Sequence, residues 1–384
     1  MKMLYVVEST PTIDARTGDG SSLIPYQVAL ALPSHVDLEI ISFSGVNTVD
    51  GTLRARAERI HELPQRGLRD AQMLSLLARE SVGAALRMTA QSRKLVRERS
   101  RAADATLVHG PHLLPLLDAV VGPCVYQSVD PWSFRLEMEA AAVRGPRAFY
   151  RRRLASARLA RERALAPHIA LATVGRADAE RWQAELDRDV TAVPNGVSAG
   201  PEAGERQVGR PELPTLSFTG SLDYAPNIES ATRLVREIAP VVWAAEPTAR
   251  ILIAGRNPVD EVLALASERV EVRANVPSMA EVYEASDVAV FADVSGLGIR
   301  NSVSEALAAG TRVIATPVAA REQPHHPLLT VVDDAAAFAG RTLEELRLAR
   351  SSQRPERASA TGAPMRSWQD AAGEYLALLE AAAR

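Results

Sequence analysis

The chain has 384 residues, 47% of them hydrophobic, enough to bury two ordinary cores, so two domains are expected. A formal net charge of −3 argues against nucleic acid as the main partner. No stretch approaches the ~18 uninterrupted apolar residues of a membrane span, and the single cysteine, Cys124, excludes an internal disulfide.

The opening MKMLYVVEST reads as a first strand that turns polar at once rather than as a signal peptide, which leads to an expected cytoplasmic location. Short apolar strands then alternate with helical stretches, the pattern of a parallel α/β sheet. Strands are expected at 3–7, 38–43, 106–109, 124–127, 169–174 and 191–193, with one long Arg-rich helical region from about 52 to 103. Gly18, Asp19 and Gly20 fall between the first strand and its helix. Their spacing is too long for a dinucleotide fingerprint, which leaves a flexible loop on the acceptor side or a plain solvent loop. His109, His112 and Asp130 end the third and fourth strands of this reading and are expected to share a cleft. His109 and Asp130 are candidate catalytic residues, Asp130 by binding or deprotonating an acceptor hydroxyl. The Arg-rich helix at 150–165 reads as a surface helix, with contact to a membrane surface as the alternative. Asp187-Arg188-Asp189 follows a helix and reads as a solvated turn, not a metal site.

Residues 198–214, rich in Pro, Gly and charge, form the expected linker between domains at 1–197 and 212–364. A final helix at 365–384 is expected to pack back on the first domain. In the second half, strands are expected at 216–219, 251–254, 270–273, 288–292, 312–316 and 329–332. Several strand ends carry chemistry. Gly220 and Ser221 are small enough to let a phosphate or sugar approach, with Asn227 as a helix cap. Arg256 supports phosphates or faces solvent. The loop Arg273-Ala274-Asn275-Val276 can read a base edge while Val276 covers its face. The stretch 295–317 reads as a Gly-rich turn, a helix from about 300 to 309 and a strand. Its helix N-terminus suits an anion, Arg300 adds bidentate donors, and Glu305 is placed for ribose hydroxyls. His325-His326 has no evident third ligand, so no metal is expected.

These residues carry a resemblance. Gly220-Ser221-Leu222-Asp223-Tyr224-Ala225-Pro226-Asn227, then the Ala254–Pro258 turn, then 296–316 resemble the nucleotide-binding half of GT-B glycosyltransferases of the group 1 class, also called family 4. The resemblance implies two facing doubly wound, Rossmann-like domains. It further implies retaining transfer of a sugar from a nucleoside diphosphate donor, without metal or other cofactor, to an acceptor of unspecified kind. By the same resemblance, Glu305 binds the ribose, and Arg300 with the helix start at Gly298, Ile299 and Asn301 holds the diphosphate. The 273–276 loop meets the base. Two departures stand out. Leu297 occupies the place where many members have a sugar-contacting Glu, and the second half has no lysine for the usual Arg–Lys clamp. On this reading Arg300→Ala is expected to cripple transfer with the fold intact. A sugar-nucleotide epimerase on the same architecture, or a non-catalytic nucleotide-sugar-binding subunit, are the alternatives.

Overall fold

The computed structural model describes residues 1–14, 18–45, 47–141, 143–197, 211–276, 278–295, 298–351 and 365–384. The chain divides into two compact units, Met1–Asn195 together with Trp368–Arg384, and Gly196–Ser367.

The first unit is built on seven parallel strands: β1 (Lys2–Val7), β2 (Asp37–Phe43), β3 (Arg59–Leu63), β4 (Ala105–His109), β5 (Cys124–Gln127), β6 (Ile169–Thr173) and β7 (Val190–Ala192). Their order is β3-β2-β1-β4-β5-β6-β7. The second unit has six: β8 (Thr215–Thr219), β9 (Arg250–Gly255), β10 (Val270–Ala274), β11 (Val288–Phe291), β12 (Arg312–Ala315) and β13 (Leu329–Val331), in the order β10-β9-β8-β11-β12-β13. Both sheets therefore run 3-2-1-4-5-6 from their own first strand, the doubly wound Rossmann order, and the first adds a seventh strand beyond. The central strands are apolar without alternation because helices cover both faces, and Met3–Val7 and Val288–Phe291 are wholly buried. The helix Trp368–Ala382 contributes Ala371, Ala372, Tyr375 and Leu379 to the core of the first unit, and Gln127 Nε2 donates to the Tyr375 hydroxyl.

One stretch departs from the sequence reading. The region 52–103 is not a single helical run. It holds the helix Gly51–Arg56, then β3, then helices Leu68–Ala78, Val82–Arg87 and Ala90–Ala102. β3 is an edge strand whose polar side chains lie half-exposed, so it lacks the apolar run of a central strand. His61 and Arg99 both bind the Glu39 carboxylate, at 2.6 and 2.5 Å, which ties β3 and the Ala90–Ala102 helix to β2. Most of the expected linker (198–210), Gly296 and Leu297 lie outside the described residues.

Candidate functional site

In a doubly wound sheet the loops diverge where the strand order reverses, and the crevice beyond the strands' carboxyl ends is the default ligand site. In the second unit that point lies between β8 and β11. Thr219 ends β8, and Gly220 follows. A Cβ on Gly220 would come within 2.7 Å of Asn227 Nδ2. Asn227 is thus not the helix cap expected from the sequence. Tyr224 holds that position in the helix Ala225–Arg233, while the buried Asn227 side chain donates to the Ser221 carbonyl at 2.9 Å. The close approach continues at the next strand. A Cβ on Gly255 would lie 1.8 Å from the Gly220 carbonyl oxygen, and Leu222 N–H donates to the Arg256 carbonyl at 2.8 Å. Gly255→Ala is therefore expected to force the β8 and β9 ends apart, at a cost of about 1–3 kcal/mol. Urea unfolding of the variant checks the cost.

Polar side chains then lace these loops together. Ser221 Oγ donates to Asp223 Oδ1 at 2.7 Å, Arg256 Nε donates to Ser221 Oγ at 3.2 Å, and Asn257 Nδ2 reaches Asp223 Oδ2 at 3.2 Å. Arg256 accordingly faces the Ser221 loop. Asn257 and Asn275 both take left-handed backbone (φ +51° and +54°), which asparagine tolerates, and Asn275 N–H bonds the Gly255 carbonyl.

Across the switch point, the helix Asn301–Ala308 starts at Arg300, whose side chain has no acceptor with which to cap it. Gly298 precedes it at φ +70° in open space, and Ile299 is half-buried. The Arg300 guanidinium is not presented to solvent. It pairs with the buried Asp293, donates from Nη2 to the Thr219 carbonyl at 3.2 Å, and lies over the rings of Phe291 (4.7 Å) and Phe218 (5.2 Å). Burial pulls its pKa down and Asp293 opposes that shift. Arg300 Nε and Asp293 Oδ1 are both buried with no hydrogen-bond partner. The wholly buried Tyr283 completes the bridge. Its hydroxyl meets Thr219 Oγ1 at 2.7 Å, the Ser302 carbonyl at 3.0 Å and Glu305 Oε2 at 3.5 Å. Solvent reaches Glu305, yet the surrounding protein holds its carboxyl above the usual carboxylate range, with Tyr283 opposing.

Two expected donor contacts are placed differently. Arg273 is engaged by Glu271 at 2.6 and 3.0 Å on the exposed edge strand β10, because residues i and i+2 share a face. Val276 packs against the small cluster of Leu252, Ala254 and Val282 instead of standing free to cover a base.

Residues 213–347 match the family model described as Glycosyl transferases group 1. That match spans most of the second unit. By sequence, no curated protein matches the chain. Among solved structures, the chain is similar to a UDP-forming α,α-trehalose-phosphate synthase from Burkholderia xenovorans, with 14% identity, 100% of this chain and 99% of that one covered, and a TM-score of 0.57. A trehalose-6-phosphate structure from E. coli bound with UDP-2-fluoro glucose matches at 11% identity, 100% and 97% coverage and a TM-score of 0.60. Anabaena HepE in complex with UDP and glucose matches at 11% identity, 99% and 98% coverage and a TM-score of 0.56. At such identities the likeness shows the fold, the GT-B pairing of two Rossmann-like domains.

The first unit has its own switch point, between β1 and β4. The residue there is Glu8, which the sequence reading passed over. It follows the last residue of a buried strand, and that position was the available signal. Glu8 is buried, and its Oε1 accepts the His112 N–H. Arg87 Nε donates to its carbonyl at 2.7 Å. Gly110, at φ +124°, leaves the room its carboxyl occupies, since a Cβ there would sit 2.3 Å from Glu8 Cγ. Burial pushes the Glu8 carboxyl up to about 7, against the pull of Arg87.

The other first-unit candidates take quieter roles. His109 does not face a cleft. It is buried in the core with Nδ1 on the Tyr5 hydroxyl at 2.8 Å, and burial pushes it down to about 4. His112 binds Ser81 Oγ at 2.9 Å, sits edge-on to Trp132, and is pushed down to about 3 by burial. Both are neutral interior imidazoles. Asp130 lies 3.8 Å from Arg135 and burial raises its carboxyl pKa. The preceding Val129, at φ +65°, is strained for a β-branched residue. Asp19 caps the helix Gly20–Ala31 in a reciprocal box with Ser22, and Gly18 N–H bonds the Asp14 carbonyl. Gly18, Asp19 and Gly20 therefore serve as a helix start rather than a free flap. Asp187 ends the helix Arg176–Leu186 in left-handed backbone, and Arg188 donates to the Leu165, Ala166, Pro167 and Ile169 carbonyls.

The titration of Glu8 gives a testable sign. Folding raises its pKa from 4.5 to about 7, so the folded chain holds the proton more tightly. Its contribution is complete below the unfolded pKa and is lost as pH rises through the folded one. Glu8→Gln, which stays neutral, is expected to flatten the wild-type stability slope between those values by about 3 kcal/mol. Urea unfolding of both proteins across that window checks it. His109 and His112 act oppositely, losing stability as pH falls below 6.5, and cancel in the comparison.

Proposed function

We propose that the chain transfers a glycosyl group from a nucleoside diphosphate donor to an acceptor hydroxyl, with retention of configuration, without a metal or other cofactor, and in the cytoplasm. The observation that carries the reading is the β8/β11 switch point of the group 1 domain. There Gly220 and Gly255 let the strand ends and the Asn227 side chain pack closely, Ser221 and Arg256 line one side, and the start of the Asn301–Ala308 helix with Arg300 stands on the other. A diphosphate between them would accept backbone and guanidinium hydrogen bonds, and Glu305 would take the ribose hydroxyls. As the bond from the anomeric carbon to the phosphate oxygen breaks, negative charge grows on the leaving diphosphate, and these donors would stabilise it there. The acceptor hydroxyl adds to the anomeric carbon, and its proton passes to the leaving phosphate. Asp293 neutralises Arg300, and a diphosphate with its greater charge would compete for that guanidinium. The first unit would supply the acceptor, with Asp130 and Glu8 as its carboxyl groups at strand ends.

The test is incubation with UDP-, GDP- and TDP-sugars and candidate acceptors, scoring released nucleoside diphosphate and the anomeric configuration of the product. Acceptor-dependent release with retained configuration, unchanged by a chelator, is the expected result. An altered sugar on an intact nucleotide, or binding without turnover, contradicts it.

A further inference from the structure

The helix Leu68–Ala78 is packed the wrong way round for a soluble surface. Its buried residues are the small Ala71 and Ser75, while Leu68, Met73, Leu76 and Leu77 point outward, Leu77 at 79% and Leu76 at 64% exposure. Monomeric proteins seldom leave such a cluster uncovered. The helix lies beside Pro146–Arg163, since Ser75 Oγ meets the Tyr150 hydroxyl at 3.3 Å and Arg161 binds Glu80 at 3.0 Å. Next to Tyr150, Phe149 is 66% exposed. The exposed charges of these elements are one-sided. The exposed charged residues of the Leu68–Ala78 helix and its C-cap, the Trp132–Ala141 helix, and 144–153 are Arg69, Arg79, Arg144, Arg147, Arg152 and Arg153, against Asp70 and Glu137.

We infer that this face of the first unit docks on an anionic lipid bilayer, with Leu76, Leu77, Met73 and Phe149 entering the headgroup boundary and the flanking arginines meeting lipid phosphates. Apolar side chains ringed by arginines are the composition of an interfacial helix. A second copy of the chain would bring the same cationic rim against this one and be repelled. No helix among the described residues is long and apolar enough to cross a membrane, so the attachment is peripheral. The inference stands apart from the donor site, and nucleotide binding would be untouched by its failure.

Sedimentation with vesicles tests it. The full chain is expected to pellet with phosphatidylcholine vesicles containing phosphatidylglycerol, less so at high salt, and not with phosphatidylcholine alone. Leu76→Glu with Leu77→Glu, two exposed positions whose change leaves the melting temperature in place, is expected to abolish pelleting. Arg147→Glu with Arg152→Glu is expected to weaken it at least about 25-fold, from about fivefold per arginine. The proposal is overturned if anionic vesicles fail to pellet the wild type. It is equally overturned if the leucine variant pellets as well as the wild type, or if light scattering finds a dimer that this variant splits.

Discussion

Arg300→Ala is expected to cost the second unit about 3–5 kcal/mol of stability and, separately, to lower transfer about a hundredfold. The sequence reading anticipates only the second effect, with the fold intact. The structure adds the first because the guanidinium pairs with Asp293, a buried carboxylate just past the end of β11, and because it joins that loop to the Thr219 carbonyl at the end of β8. Alanine leaves Asp293 buried and uncompensated and strips the cover from Phe218 and Phe291. The two losses separate experimentally. Calorimetry gives the stability term, and diphosphate affinity measured well below the lowered unfolding midpoint gives the binding term. Unchanged stability would mean that the Asp293 pairing contributes nothing to the fold.

Arg158→Ala is expected to be as damaging, in the first unit. The sequence presents Arg158 as one more arginine of a surface helix, yet it is buried. It binds Glu162 at 2.7 Å, the Pro111 carbonyl at 2.7 Å and the Tyr126 hydroxyl at 2.8 Å. Glu162 in turn accepts from Ser133 Oγ at 2.7 Å and Trp182 Nε1 at 3.1 Å. Removing the cation leaves a wholly buried carboxylate with only neutral donors, a loss of about 3–5 kcal/mol. Arg158→Met combined with Glu162→Gln is expected to regain much of it, because the stranded charge goes with the cation. A double-mutant cycle by urea unfolding checks this. A double variant worse than the sum of the singles would contradict it.

What was legible in the sequence follows from burial. Central parallel strands such as 3–7, 124–127 and 288–291 are continuous apolar runs, and their ends can be read from composition alone. β3 escaped because an edge strand with Arg, His and Glu on it has no such run. In the site, Gly220, Ser221 and Arg256 could be placed because each directly follows a legible strand. The pairing of Arg300 with Asp293 could not, because it depends on how the loop between them folds back. Tyr283 was invisible for a related reason, since its hydroxyl contacts Thr219 and Glu305 only after β8 and β11 are side by side. Arg273 and Val276 have the right residue types for a base-binding loop, but local pairing and packing claim them first.

The central claim is that the β8/β11 switch point seats a diphosphate, and a structure of the chain with a bound nucleoside diphosphate tests it most directly. The account predicts phosphates between Gly220-Ser221 and the first turn of the Asn301–Ala308 helix, with the Arg300 guanidinium moved off Asp293 to meet them. Phosphates bound elsewhere, or a bound nucleotide with Arg300 still held by Asp293 and no donor facing the phosphates, would contradict it.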